Sequence, residues 1–301
     1  MIPGSSAVAM DDMAVTSKQA EDITRFKANI QHYWEITFNV PICWFLGFRI
    51  SRNCTAQTIS INQSAYVQAM VDKFRLTNSA PVATPMVTGA TFLTSDSPLT
   101  PTQVVRMRRI PYTEAISSVL WPVVISRPDA AFAVSTLSQF IQNPRPAHWE
   151  ALKRVIIFLG STKDLWLTFS GRSKLAAEGF CDVDWGGQKH RHSISGYSFH
   201  MGAGAISWSL KKQHVVALSS TEAEYITQMH VAKEVLWLHM CTKHIDVCYH
   251  FIRKAVEDGK VVVRYIPTRD NISDIFTKPL AKAKFWELAE LLGLCVIMCK
   301  I

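Results

Sequence analysis

Apolar residues recur with two different periods along the chain, and the change of period separates strand-like from helical segments. Residue 50 and residues 59–61 are strand-like and flank the polar stretch 51–58, which predicts a β-hairpin. Apolar residues at helical spacing predict a helix over 65–74. Residues 84–104 are rich in Thr, Ser and Pro and lack a clear period, so they are predicted to be a loop or linker.

The segment 112–159 has mainly helical spacing, interrupted by a proline-rich stretch that begins at Asn143. Pro146 fits the first turn of a helix over 147–159, because a proline there leaves no hydrogen bond unmade. Gly160 is then a plausible end for this helix.

The second half has shorter apolar runs, typical of an antiparallel sheet followed by helices. The predicted strands are 175–183, 196–201 and 205–209. Residues 215–219 either extend the third strand or pair beside it. The elements predicted beyond them are helices 221–239 and 244–256, a strand 261–266 and a helix starting near 271. This order describes an α/β sandwich-like domain.

The composition favours a folded, mildly basic protein. Of the 301 residues, 48% are hydrophobic and only 19% are charged, which argues against disorder. The net charge is +8 and is spread evenly along the chain. A basic chain suits nucleic acid, since phosphate contacts dominate the affinity for it. A mildly basic protein without such a partner has the same composition, so charge alone leaves both interpretations open.

The cysteines and the apolar runs predict an intracellular location, cytoplasmic or nuclear. The seven cysteines are odd in number and irregularly spaced, unlike a disulfide framework. The first residues lack the basic and apolar regions of a signal peptide, so we expect no secretory pathway. The longest apolar runs are too short to cross a membrane, so we expect no membrane partner.

Three acidic residues, Asp182, Glu224 and Asp274, are candidates for metal chemistry, and a fourth carboxylate has no obvious candidate. Asp182 and Asp184 lie two apart on a predicted strand and therefore share a face. Glu224 lies near the start of the long helix, and Asp274 near the start of the last one. Carboxylate oxygens are the ligands that Mg²⁺ or Mn²⁺ prefers, and such ions commonly act in pairs on a phosphodiester. The alternative is a solvated strand end next to ordinary helix starts.

Two capping patterns compete at the start of the long helix. If Thr221 is the N-cap, Glu224 reaches back to it as the partner in a capping box. If Ser219 is the N-cap, Glu222 is that partner, and Glu224 is free to face the first strand. The alternative for Asp274 is a favourable interaction with the helix dipole.

A zinc site is a weaker candidate. Four potential ligands lie within ten residues: Cys241, His244, Cys248 and His250. They fall in a predicted helix, where the last of them points away from the others, whereas structural zinc sites need closed tetrahedral geometry.

Several motifs together resemble the ribonuclease H domain of copia-type LTR retrotransposon Pol polyproteins. They are GFCDVDWG at 179–186, SGYSF at 195–199, GAISWS at 204–209, KKQ at 211–213, ALSSTEAEY at 217–225, TKHID at 242–246 and YIPTRDNISDIFTK at 265–278. Upstream, the paired Asp11 and Asp12, WFLG at 44–47, PYTEAISSVLW at 111–121 and SRPDAA at 126–131 resemble the end of the same family's reverse transcriptase.

The resemblance implies a ribonuclease-H-like mixed sheet with flanking helices, which cuts the RNA strand of an RNA–DNA hybrid with two Mg²⁺ ions. It implies that Asp182, Glu224 and Asp274 are the catalytic metal ligands, and that Lys211 and Lys212 help to hold the nucleic acid. In the family, a strand with a further acidic ligand follows the long helix, and this sequence lacks it. We therefore expect an impaired ribonuclease, with a non-catalytic nucleic-acid-binding remnant as the alternative.

The resemblance also implies the domain organisation. Residues 1–85 correspond to the end of a polymerase palm and the start of a thumb, 86–104 to a linker and 105–171 to a helical thumb or connection region. The ribonuclease-H-like domain covers 172–301. Because Asp11 and Asp12 come almost at the start of this sequence, we expect no polymerase activity from the chain alone.

Overall fold

The computed structural model describes residues 19–34, 42–90, 92, 100–173, 177–186, 192–240, 262 and 264–297. Helices of the described part are α1 (Ala20–Tyr33), α2 (Ser64–Lys73), α3 (Pro101–Arg108), α4 (Tyr112–Ile125), α5 (Ala131–Ser138), α6 (Pro146–Ser161), α7 (Ser220–Met240), α8 (Asp274–Thr277) and α9 (Lys282–Leu291). The strands are β1 (Trp44–Phe45), β2 (Phe48–Asn53), β3 (Thr58–Asn62), β4 (Leu165–Ser170), β5 (Glu178–Asp184), β6 (Ile194–Met201), β7 (Gly204–Lys212) and β8 (Leu294–Val296).

Two antiparallel sheets organise the fold. The first has the strand order β1-β2-β3-β4-β8, and the second has the order β5-β6-β7. The mixed α/β class with helices beside antiparallel sheets is therefore confirmed, and the ribonuclease-H-like arrangement stays a prediction. The first sheet joins β3 to β4 and β4 to the C-terminal β8, so it uses residues from both sides of position 172.

The predicted hairpin, the first predicted helix and the three strands of the second sheet are confirmed. Strands β2 and β3 pair from Arg49↔Asn62 to Asn53↔Thr58, so the hairpin strands extend further into the polar stretch than predicted. Helix α2 buries Val67, Met70 and Val71, which lie on one face at helical spacing.

Helices α2, α4, α5 and α6 form the main core, and a buried ion pair closes it at one end. Arg127 donates to both carboxylate oxygens of Asp129, at 3.0 and 2.7 Å, and both side chains are almost fully buried. The same guanidinium donates to the Thr162 carbonyl just after α6 and lies over the Phe158 ring. Arg127 therefore links Asp129 to the residue after α6, which gives the Arg and Asp of the SRPDAA motif a structural role.

Two sequence expectations about helix ends are wrong. Helix α3 begins at Pro101, inside the predicted linker, where the Thr100 and Gln103 side chains each accept from the other residue's backbone N–H. This reciprocal pair is a capping box, visible in the sequence as Thr-x-x-Gln. Gly160 does not end α6, because the helix continues to Ser161. A side chain at Gly160 would lie 2.7 Å from Val71, so this glycine allows α6 to pack closely on α2.

Other expectations for the second half are also corrected or fall outside the description. Residues 215–219 form no strand, and the described part of 261–266 contains none. Helix α7 faces the second sheet with Ala223 and Thr227, whereas Tyr225, at the start of its apolar pattern, is exposed. The predicted helix 244–256 lies outside the described residues. Of the helices that the structure describes, none combines the length and the apolarity that crossing a membrane requires.

The two sheets meet where glycines allow very close backbone contact. A side chain at Gly204 would lie 2.5 Å from the Thr168 carbonyl oxygen, and one at Gly293 would lie 2.8 Å from Gly204. Within the first sheet, the Thr168 N–H of β4 donates to the Gly293 carbonyl at 2.9 Å. Gly293 also has a φ of +89°, in the region that favours glycine.

We expect Gly293→Ala to destabilise the fold by clash as well as by strain. The positive φ alone costs about 1–2 kcal/mol, and overpacking against the Gly204 backbone adds about 1–3 kcal/mol. Gly89→Ala is the matched control, because Gly89 has a φ of +74° but nothing within 4 Å of an added Cβ. Urea denaturation of both variants measures the difference, and equal losses would contradict the proposed close contact.

Candidate active site

Strand β5 places Asp182 and Asp184 on one face of the second sheet. Asp182 is paired with Gly196 and Asp184 with Ile194 on the neighbouring strand β6, so these four residues share a face. Val183 lies between the two acids in sequence and points to the other face. The prediction that the two acids lie on the same side is therefore confirmed.

Helix α8 packs directly on this face because Gly196 has no side chain. A Cβ at Gly196 would lie 2.8 Å from the Phe276 Cβ and 2.9 Å from the Thr277 methyl group. Asn271, just before α8, anchors the segment by donating from Nδ2 to the Cys181 carbonyl of β5 at 2.8 Å. In this position the Thr277 hydroxyl donates a short hydrogen bond to Asp182 Oδ2.

Asp274, the first residue of α8, is buried next to Asp182. Burial raises the pKa of Asp274, a hydrogen bond from Lys278 lowers it, and the negative charge of Asp182 raises it. The Lys278 ammonium group lies 2.9 Å from Asp274 Oδ2. The other oxygen, Oδ1, is buried without a hydrogen-bond donor. Asp274 therefore has one oxygen neutralised by a lysine and one unsatisfied oxygen in the acidic site.

Asp184 belongs to the same electrostatic cluster. Burial raises the pKa of its carboxyl group, the Asp182 charge raises it further, and the Lys278 charge opposes these effects. Asp184 and Asp274 therefore share the ammonium group of Lys278, and the negative charge of Asp182 acts on both of them. Such a surplus of negative charge is the electrostatic condition for attracting a cation.

Glu224 is close to the same end of β5 but approaches from helix α7. The Glu222 N–H donates to Ser219 Oγ at 3.1 Å, and the Glu222 carboxylate accepts from the Leu218 N–H at 2.7 Å. The Ser219 alternative is therefore the one observed, which leaves Glu224 outside the cap. Burial raises the pKa of Cys181, and the charges of Asp182 and Glu224 raise it further, so both acids act on the same thiol.

The structure thus brings Asp182, Asp184 and Asp274 together on the face that α8 covers, whereas Glu224 is exposed at the start of α7, which packs on the other face. Within the described ranges, no group of three or more His, Cys, Asp and Glu side chains is arranged to hold a metal ion. Asp11 and Asp12 lie outside the described residues, as do the four candidate zinc ligands. Lys211 and Lys212, at the end of β7, point to opposite faces of the sheet, because successive strand residues alternate.

Sequence reasoning missed four residues that shape this site: Gly196, Asn271, Thr277 and Lys278. Lys278 had a local signal, since it lies four residues after Asp274 and such pairs meet on a helix surface. Asn271 and Thr277 bond to residues of β5 that lie 90 and 95 positions away in the sequence. Gly196 of β6 acts through its contact with α8. No spacing within their own segment indicates these partners.

Comparisons with known proteins identify the class to which this fold and site belong. A family model of reverse transcriptases (RNA-dependent DNA polymerases) matches residues 6–88. The retrovirus-related Pol polyprotein from transposon TNT 1-94 of Nicotiana tabacum is 32% identical over 318 residues, which cover 95% of this chain and 24% of that protein. The retrovirus-related Pol polyprotein from transposon RE1 of Arabidopsis thaliana is 28% identical over 322 residues, covering 95% of this chain and 21% of that protein.

A shorter relative matches a smaller part of the chain at higher identity. Secreted RxLR effector protein 161 of Plasmopara viticola is 43% identical over 138 residues, which cover 46% of this chain and 97% of that protein. No solved structure matches the chain significantly.

The chain belongs to the retrovirus-related Pol polyproteins of copia-type transposons and contains a reverse-transcriptase-like region. The resemblance inferred from the motifs is confirmed. The chain spans about a quarter of the length of the Pol polyproteins that it matches, 24% of the tobacco protein and 21% of the Arabidopsis protein. The domain boundaries at 85, 104 and 171 stay predictions.

We expect Asp274→Asn to stabilise the folded chain at neutral pH. The amide carries no charge next to Asp182, and its oxygen still accepts from Lys278. Removing the unsatisfied buried carboxylate should raise the free energy of unfolding by roughly 1–3 kcal/mol at pH 7. A raised folded-state pKa means that wild type holds the proton more tightly when folded, so its stability falls as pH rises above the ordinary carboxyl pKa. The advantage of Asp274→Asn should therefore shrink as the pH falls towards 4.

Thermal unfolding followed by circular dichroism at several pH values measures this advantage. Asp270→Asn is the matched control, since Asp270 lies in the preceding turn Thr268–Asp270 with its side chain exposed. A destabilised Asp274→Asn chain at pH 7, or an advantage that grows on acidification, would contradict the electrostatic account of the site.

Proposed function

We propose that this chain acts on RNA–DNA hybrids as a ribonuclease of the ribonuclease H type, with strongly reduced activity. The observation that carries the proposal is the meeting of Asp182 and Asp274 on one face of the second sheet, where Asp274 keeps a buried oxygen without a hydrogen-bond donor. Membership of the Pol polyprotein family makes nucleic acid the expected substrate class.

The acidic side chains suit a hard cation, and we propose Mg²⁺, or Mn²⁺ in its place. Asp182 and Asp274 would hold it with carboxylate oxygens, and Glu224 would join them from the start of α7. The bound ion would activate a water molecule and stabilise the leaving oxygen of the cleaved phosphodiester. The donor-free Oδ1 of Asp274 fits this role, because it is an acceptor that the protein itself leaves unused.

The protein's own residues prepare this site. Thr277 fixes Asp182 by donating to Oδ2, and Gly196 allows α8 to lie close enough for that bond. Lys278 balances the charge of Asp274. Because Lys278 engages an oxygen that an ion would need, it competes with the cation, which supports weak metal binding and slow cleavage.

The hybrid itself would be held mainly through its phosphates. Lys211 and Lys212 lie at the end of β7, and the chain has a net charge of +8. Contacts of this kind read the backbone and the A-like shape of a hybrid rather than its base sequence. Such a substrate would place the protein in the cytoplasm or the nucleus.

A second candidate is a nucleic-acid-binding remnant that does not cleave. The specific observation in its favour is that the described residues contain no group of three ligands arranged for a metal ion. Both candidates require salt-sensitive binding of the hybrid, and they differ in whether the RNA strand is cut.

We expect the full chain to bind a fluorescent RNA–DNA hybrid with an affinity that falls as salt rises. We expect Mg²⁺-dependent cutting of the RNA strand at a rate about 10- to 100-fold or more below that of an intact ribonuclease H. The reason is that one of the acidic metal ligands expected in the family is missing from this chain. Asp182→Asn should abolish the cutting without abolishing binding. Fluorescence anisotropy measures binding, and a denaturing gel of the labelled RNA strand measures cutting.

Asp270→Asn serves as the control that changes an exposed acid just before the site and should leave the rate unchanged. Binding without any cutting would assign the second candidate. Cutting that survives Asp182→Asn would show a contaminating nuclease, and salt-insensitive or absent hybrid binding would overturn both candidates.

A further inference from the structure

The face of the second sheet opposite the acidic site is covered by α7 through polar contacts. Ser195 of β6 and Thr227 of α7 share a hydrogen bond of 2.7 Å between their hydroxyl groups, and both side chains are buried. Gln213 Nε2 donates to Ser195 Oγ at 2.9 Å. Further along the helix, Glu234 accepts from the Ser207 hydroxyl at 2.6 Å. Helix α7 is thus fixed to the sheet at two separated points by side-chain hydrogen bonds.

Between these two points lies a pocket of about 220 Å³. Its walls come from both β strands and from the helix, and the lining residues are Ser195, Tyr197, Ser209, Lys211, His230 and Lys233. Typical pockets for drug-sized ligands measure about 300–1,000 Å³, so this one suits a smaller group. Every lining side chain carries a polar hydrogen-bonding group.

The charged groups around the pocket are mostly basic. Lys211 lies at the end of β7, His214 follows two residues after that strand, and Lys233 comes from α7. Burial lowers the pKa of His230, and the positive charges of these three residues lower it further. His230 Nδ1 is also buried without a hydrogen-bond partner. An anion in the pocket would relieve both the clustering of positive charge and the unsatisfied imidazole nitrogen.

The acidic group on this side, Glu234, does not neutralise the basic cluster directly. Its carboxylate is engaged by Ser207, and it also interacts with Tyr197. Burial raises the pKa of Tyr197 to about 12, with a further contribution from the Glu234 charge, so the phenol stays protonated and can donate. Hydroxyl groups and Lys211 therefore line the sheet side of the pocket, and His230 and Lys233 line the helix side.

We propose that this pocket binds a phosphate group. Two ammonium groups, an imidazole and serine and tyrosine hydroxyls converge from three elements, which matches the several charged oxygens of a small tetrahedral anion. Lys211 is a predicted nucleic-acid contact, whereas nothing in the sequence predicts His230 or Lys233. The phosphate is either part of a polynucleotide or free, and the chemistry of recognition is the same.

The pocket is separate from the acidic site, because the two lie on opposite faces of the same sheet. Ser195 is paired with Lys211 on the α7 face, whereas Gly196 is paired with Asp182 on the α8 face. The proposal therefore goes beyond hydrolysis of a hybrid. Phosphate binding should survive Asp182→Asn, so failure of the proposed nuclease activity and failure of this proposal are distinguishable.

Isothermal titration calorimetry of the full chain with sodium phosphate at pH 7 and low ionic strength tests the proposal. We expect saturable binding that sodium chloride at equal ionic strength does not reproduce. Lys233→Gln and Lys211→Gln should each weaken binding about tenfold or more, because each removes a charge-assisted contact. Lys282→Gln, which changes an exposed lysine of α9, is the matched control and should bind as wild type.

A second measurement does not depend on affinity. Phosphate should raise the pKa of His230. NMR of the imidazole protons measures this pKa, and the signals are assigned to His230 by their absence in the His230→Gln variant. Competition then separates the two sources: displacement of a single-stranded oligonucleotide by phosphate indicates a polynucleotide phosphate, and no displacement indicates free phosphate. Absence of phosphate binding, or equal affinity in wild type and Lys233→Gln, would overturn the proposal.

Discussion

Close contact between the backbones of β4, β7 and the segment before β8 is the constraint on which the arrangement of the two sheets depends. Gly204 and Gly293 leave no room for a side chain, since an added Cβ would lie 2.5–3.0 Å from backbone atoms of neighbouring strands. Across this contact the Ala205 N–H donates to the Leu292 carbonyl at 3.0 Å. Because the two sheets bond to each other through main-chain groups, the second sheet has a fixed position on the helical core.

The acidic site follows from that fixed position. Helix α8 is held between the core and the second sheet, with Phe276 fully buried in the same cluster as Phe158. Gly196 then sets the distance between α8 and the sheet, and Asp274 is buried as a consequence of packing. The raised pKa of Asp274 is therefore produced by apolar contacts made several residues away, as well as by the neighbouring Asp182.

Local pattern predicted the elements whose signal lies within their own segment. The β2–β3 hairpin, α2 and the strands of the second sheet have the expected periods, and the Ser219–Glu222 cap was one of two stated alternatives. Strands β4 and β8 were missed, because each becomes a strand through pairing with residues over 100 positions away. Gly160 illustrates the same limit. Its position after a helical segment suggests a helix end, and only the contact with Val71 of α2 reveals its role in packing.

The acids of the site were predicted, but the reason they are tolerated was not visible in the sequence. Burying the carboxyl group of Asp274 next to the half-buried Asp182 costs free energy. Thr277 and Lys278 offset part of that cost by bonding one oxygen of each acid. They leave Oδ1 of Asp274 without a donor. This unused buried oxygen, next to two acids that each have a dedicated partner, is what supports the proposed cation site.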